Sequence, residues 1–222
     1  MPITLTSGMT ISGCKLIGYN TTVNLVGSLY TRSIAVGPFS QSYSQAVPSG
    51  AIGNLLLLII VSPGGITLPS GWTQLTSQAN ANLLTLVCYK SASTTSESNF
   101  TVSISGQSNC GTAMYRFSGA STSLVAGAVG AFNTGTNTTV NYQAISGGLS
   151  TDYYIQWSHA TNASASFSIP TTSIDALLVD NDVDAPSFTS FFSIGDGSAK
   201  SSNITQPTTN PVASGQIRIP AL

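Results

Sequence analysis

Apolar and polar residues alternate along most of this chain with a period of two, in short runs broken by turn residues. Phe100, Val102 and Ile104 interleave with Thr101, Ser103 and Ser105, giving one apolar and one hydroxyl face, as in an antiparallel strand buried on one side. The run 55–61, Leu-Leu-Leu-Leu-Ile-Ile-Val, is apolar on both faces and predicts a central strand covered from two directions. The same reasoning places strands near 29–36, 83–89, 113–117, 138–145, 153–158, 165–169, 174–179, 188–194 and 216–219. Pro63-Gly64-Gly65, Pro69-Ser70-Gly71, Gly147-Gly148 and Asp196-Gly197 supply the fixed or positive φ that turns need. No segment sustains a helical period beyond about two turns. The pattern predicts an all-β fold: an antiparallel, jelly-roll-like β-sandwich over residues 25–222.

Residues 1–24 read differently. Ile3-Thr4-Leu5-Thr6, Met9-Thr10-Ile11-Ser12 and Lys15-Leu16-Ile17 alternate in pieces interrupted by Gly8 and Gly13. Such pieces expose unpaired backbone edges, so this stretch is expected to be an extended arm that pairs with another sheet or another chain. It has neither the basic start nor the apolar stretch of a signal peptide. The longest apolar run falls far short of the roughly 20 residues that cross a bilayer, and no membrane insertion is expected.

Charge sharpens the picture. Only 6% of the residues are charged, against about 25% in a typical soluble domain, so the surface must be built from hydroxyls and amides. That surface has little charge repulsion between copies, which predicts a homo-oligomer, threefold by analogy with fibres. Lys15, Arg32, Lys90, Arg116, Lys200 and Arg218 are scattered singly and form no stripe to engage a phosphate backbone, so nucleic acid is not an expected partner. Cys14, Cys88 and Cys110 are odd in number and lack metal-like spacing; free thiols and assembly in a cytoplasm are expected. Asn-x-Ser/Thr triplets begin at Asn20, Asn99, Asn137, Asn162 and Asn203, as chance allows in a Ser/Thr-rich chain.

The residues able to carry chemistry are few. His159 is the only histidine, and its neighbour Ser158 points to the opposite face of a strand, so no serine-histidine-carboxylate arrangement is suggested. The acids Glu97, Asp152, Asp175, Asp180, Asp182, Asp184 and Asp196 fall mostly in turns, with no pair set across a cleft as glycoside hydrolysis requires. Asp180, Asp182 and Asp184 alternate closely enough to direct oxygens at a hard cation such as Ca²⁺. Ala185 and Phe191, however, stand where an EF-hand loop needs glycine and glutamate. The stretch Gly195-Asp196-Gly197-Ser198-Ala199-Lys200-Ser201 lacks the glycine before lysine of a phosphate loop. Tyr153, Tyr154, Trp157, Phe188, Phe191 and Phe192 concentrate the aromatics, suited to core packing first and to stacking on sugars second. Catalysis and cofactors are not expected.

Several phrases nevertheless line up: Gly53-Asn54-Leu55-Leu56-Leu57, Leu68-Pro69-Ser70-Gly71-Trp72-Thr73, Tyr89-Lys90, Met114-Tyr115-Arg116-Phe117-Ser118-Gly119-Ala120 and Gln216-Ile217-Arg218-Ile219-Pro220-Ala221. Over about 47–222 their order resembles a β-sandwich module of tailed-bacteriophage virion proteins, with Asn54 where that pattern usually has Asp. The resemblance implies a structural role in tail fibre, baseplate or head decoration, in the company of other virion proteins. It brings no catalytic residues. A carbohydrate-binding module that takes a host-surface glycan is the alternative. The same residues read physically: Pro69 and Gly71 set a turn, Trp72 enters the core, and Arg116 is expected to extend from the polar face of its strand.

Overall fold

The computed structural model describes residues 22–34, 41–62, 64–80, 83–105, 109–124, 133–141, 145, 148–160, 176–180, 188–194 and 203–222. The strands are β1 (Asn24–Ile34), β2 (Gln41–Gln45), β3 (Leu55–Ser62), β4 (Gly65–Thr67), β5 (Thr73–Asn80), β6 (Leu83–Ser91), β7 (Phe100–Ser105), β8 (Asn109–Ser118), β9 (Asn133–Asn141), β10 (Tyr153–Ala160), β11 (Ala176–Asp180), β12 (Phe188–Ile194) and β13 (Asn203–Ile219). They pair antiparallel in three sheets, β1-β8-β3-β6-β5, β11-β12-β10-β13-β9 and β2-β7-β4. No helix occurs among the described residues. The chain is an all-β antiparallel sandwich with a small third sheet laid over it.

The alternation along β3 explains the layering. Leu55, Leu57, Ile59 and Val61 pack with Tyr115 and Phe117 of β8 against Tyr153, Ile155, Trp157, Ile217 and Ile219 of the second large sheet. Leu56, Leu58 and Ile60, one residue out of phase, pack with Met114 and Cys88 against Val102 and Ile104 of the small sheet. Residues Leu55 to Val61 are all fully buried, and each such side chain contributes about 1.5–3 kcal/mol relative to exposure. The predicted central strand is therefore the middle of a three-layer stack. On β7, Val102 and Ile104 are buried while Thr101 and Ser105 are exposed, the predicted one-sided alternation.

Other expectations needed adjustment. β2 and β5 were hidden by polar sequences such as Gln41-Ser42-Tyr43-Ser44-Gln45, in which pairing rather than side-chain apolarity makes the strand. Gly65, read as part of a turn, opens the three-residue β4. β13 begins at Asn203, well before the predicted 216–219, because its prolines argue against a strand; a register shift between Thr205 and Asn210 accommodates Pro207. The expected strand at 165–169 and the arm up to residue 21 lie outside the described residues, as does Cys14. Cys88 and Cys110 are free and buried.

The two large sheets are stitched together at one end. Val23 N–H donates to Thr151 O at 3.0 Å, Ser121 N–H to Pro220 O at 2.9 Å and Leu222 N–H to Gly119 O at 3.0 Å, around a bridge between Ala120 and Ala221. Gly119, at φ +68°, adopts the left-handed turn that leads out of β8. Two of the phrases that carried the resemblance are thus bonded to each other.

Between β10 and β13, Gly215 faces Trp157 in register, and a Cβ on it would lie 2.3 Å from the fully buried indole. Gly215→Ala is expected to destabilise the fold by about 1–3 kcal/mol through overpacking, read as a lower urea midpoint at unchanged m-value.

Candidate functional site

Arg116 lies on β8 beside Leu56, which pairs on its other side with Lys90, so the three form a row on the face of the middle sheet that bears the small sheet. The arginine does not extend into solvent as its strand pattern suggested; it is fully buried. Its Nε donates to Asn54 Oδ1 at 3.1 Å. Nη1 donates to the carbonyls of Pro48 at 2.8 Å and Thr95 at 3.2 Å, and Nη2 to those of Ala51 at 2.6 Å and Thr94 at 3.0 Å. These bonds match the five N–H donors of a guanidinium. The charge is solvated by loop backbone and one amide.

Local chemistry brings both loops to this group. Asn54 Oδ1 also accepts from Ala51 N–H at 2.9 Å, and Gly53 at φ +80° turns the chain into β3. A Cβ at Gly50 would stand 2.6 Å from Arg116 Nε, so glycine lets the backbone close over the side chain. Gly50 N–H reaches Thr95 O at 2.9 Å, joining the first loop to the second. Glu97 folds that second loop: its carboxylate accepts from Ser93 N–H at 2.5 Å, Ser93 Oγ at 2.9 Å and Thr94 N–H at 3.1 Å. It also pairs with Lys90 Nζ at 2.8 Å. This ion pair, aided by the donors from Ser93 and Thr94 and opposed by partial burial, holds the Glu97 carboxyl down at about 2. Lys90 Nζ sits 5.4 Å from the centre of the Trp72 ring, and Trp72 packs against Phe100 with centroids 5.1 Å apart. The turn that delivers Trp72 runs through Gly71 at φ +80°.

A second polar node closes the far sheet. The buried Asp152 accepts from Leu149 N–H at 2.9 Å and Ala221 N–H at 3.1 Å, with Arg218 Nε at 3.8 Å. Among the described side chains, Lys90, Glu97, Arg116, Asp152 and Arg218 are thus all engaged within the fold. Cys88 is pushed up strongly by burial, and burial raises Cys110 to about 11 despite hydrogen bonds from Tyr43 and Thr112; both thiols stay protonated and unreactive.

The other candidates are not gathered here. His159 pairs in register with Thr189 and Ala213, and Ser158 with Ser190 and Ser214. Asp180 ends β11 opposite Thr189, while Asp182, Asp184, Asp175 and Asp196 lie outside the described residues. No group of three or more metal-binding side chains occurs among the described residues. Tyr153, Tyr154 and Trp157 are buried and offer no sugar-stacking platform; Phe191 and Phe192 are placed by register opposite Trp157 and Gln156. The sequence singled out Arg116 and Asn54 as motif residues but missed their bond, because one strand residue collects acceptors 21 to 68 positions away. No family model, curated protein or solved structure matches the chain.

Arg116→Met is expected to cost at least about 3 kcal/mol, since it strips donors from buried carbonyls at about 1–3 kcal/mol each. Arg116→Lys should recover only part, having three donors and no planar fork; chemical denaturation of both variants checks this. The depressed Glu97 carboxyl contributes stability that is complete above its ordinary 4.5 and lost as pH falls through about 2. Urea midpoints measured from pH 5 to pH 2 should therefore fall less steeply in Glu97→Gln than in the wild type.

Proposed function

We propose that this chain is a non-enzymatic structural subunit of a tailed-bacteriophage particle, a β-sandwich displayed on tail fibre, baseplate or head and assembled in the host cytoplasm. The observation that carries the reading is the disposition of charge. The chain has 6% charged residues, and those whose side chains are described, Lys90, Glu97, Arg116, Asp152 and Arg218, are held in internal bonds, leaving the described part of the surface to hydroxyls, amides and apolar groups. Such a surface suits permanent contact with neighbours better than life as a free monomer.

The resemblance of the ordered phrases from Gly53-Asn54 to Pro220-Ala221 supplies the virion context. Joining of those phrases into a stapled end of the sandwich, with Ile52, Leu149 and Leu222 exposed in the adjoining loops and terminus, suits a docking and display role. The carbohydrate-binding alternative draws less support, since Tyr153, Tyr154 and Trp157 are in the core.

Sedimentation at micromolar concentration is expected to show a closed oligomer, threefold if the chain belongs to a fibre. A stable soluble monomer that joins no other virion protein overturns the proposal. Glycan-array binding by that monomer would instead favour the carbohydrate-binding alternative.

A further inference from the structure

The middle sheet ends on β1, which hydrogen-bonds only to β8 among the described strands. β11 of the facing sheet approaches β1 without entering its ladder. β1 is eleven residues long, its one bulge lies near its start between Leu25 and Gly27, and Gly27 to Ile34 keep unbroken register. Soluble proteins blunt such edges with proline, lysine or short length. Here the strand has no proline and a single charge, Arg32, and it leaves Val26 and Leu29 exposed by 43% and 37%. β5, the opposite edge, is shorter and bulged between Gln74 and Thr76.

We propose that the β1 edge accepts a strand from a second copy of this chain, donated by that copy's residues 3–17; the proposal rests on the reading of the chain as an assembling subunit. The donor is argued from length and pattern. Ile3, Leu5, Met9 and Ile11 alternate with threonine and serine, and fifteen extended residues reach about 50 Å, more than the roughly 36 Å of β1. Backbone pairing supplies affinity, and alternate side chains supply register. Val23 is 2% exposed in the core between the large sheets, and its N–H is held by Thr151 O. The chain thus enters β1 tied to the facing sheet; a second copy is the acceptor that the subunit reading requires, and return of residues 3–17 onto the β1 edge of their own chain is the competing outcome that cross-linking separates.

Disulfide trapping uses the thiol already in the donor segment. Full-length chain with Cys14 and wild-type β1 is mixed with a full-length, larger-tagged chain carrying Cys14→Ser and, in turn, Val26→Cys, Ser28→Cys, Leu29→Cys or Thr31→Cys. Mild oxidation should give a mixed-tag dimer at one or two neighbouring β1 positions. In parallel, Val26→Lys/Leu29→Lys should weaken association at least tenfold while leaving the far-ultraviolet circular dichroism of the folded chain unchanged. A control chain that carries both Cys14 and the β1 cysteine and closes only on itself would overturn the proposal. So would an oligomer without a cross-link at any position, and that result would leave the subunit reading intact. A wild-type monomer at every concentration would remove both.

Discussion

A buried cation without a carboxylate partner governs this fold. Removing a guanidinium from water carries a penalty of several kcal/mol, offset here only if every N–H finds an acceptor in good geometry. The acceptors come from segments that are loops on their own: 48–54 before β3 and 94–95 after β6. Their conformation is thereby dictated from below by β8. Gly50 and Asn54 meet requirements set by Arg116, and the carboxylate of Glu97 shapes the turn whose carbonyls complete the set. Asn54 suits a site already crowded with carbonyl oxygens, where the amide oxygen accepts from Arg116 and Ala51 without adding a formal charge.

Apolar burial sets the framework in which this cluster works. Because β3 is covered on both faces, the centre of the middle sheet has no wet side, and the polar groups buried there depend on neighbours within the stack. Arg116 and Asn54 do so through main-chain partners. Glu97 and Lys90 do so through each other. A chain with few charges thus uses those described here for internal architecture.

The strand class was legible wherever side chains reported burial: 55–61, 83–89, 100–105, 153–158 and 188–194 all fall within observed strands. It was illegible where pairing alone makes the strand, as in the glutamine- and serine-rich β2 and β5, or where proline interrupts a long ladder, as in β13. The layer order followed from β3, but the third sheet did not, since β4 is three residues long. At the arginine cluster the participants could be read from turn chemistry. Their geometry could not, because a strand pattern assigns Arg116 a face and says nothing of the loop that covers it.

The position of β13 has a consequence for synthesis. It lies between β10 and β9 and supplies Ile217 and Ile219 to the core between the large sheets, although its residues are translated after those of every other described strand. Until they leave the ribosome, the face of the middle sheet bearing Leu57 and Ile59 lacks part of its cover, and β10 and β9 lack the strand that joins them. Closure of this kind, dominated by contacts distant in sequence, is slow and leaves sticky intermediates. A nonsense codon anywhere before Asn203 would therefore produce aggregating polypeptide rather than a shortened but folded chain.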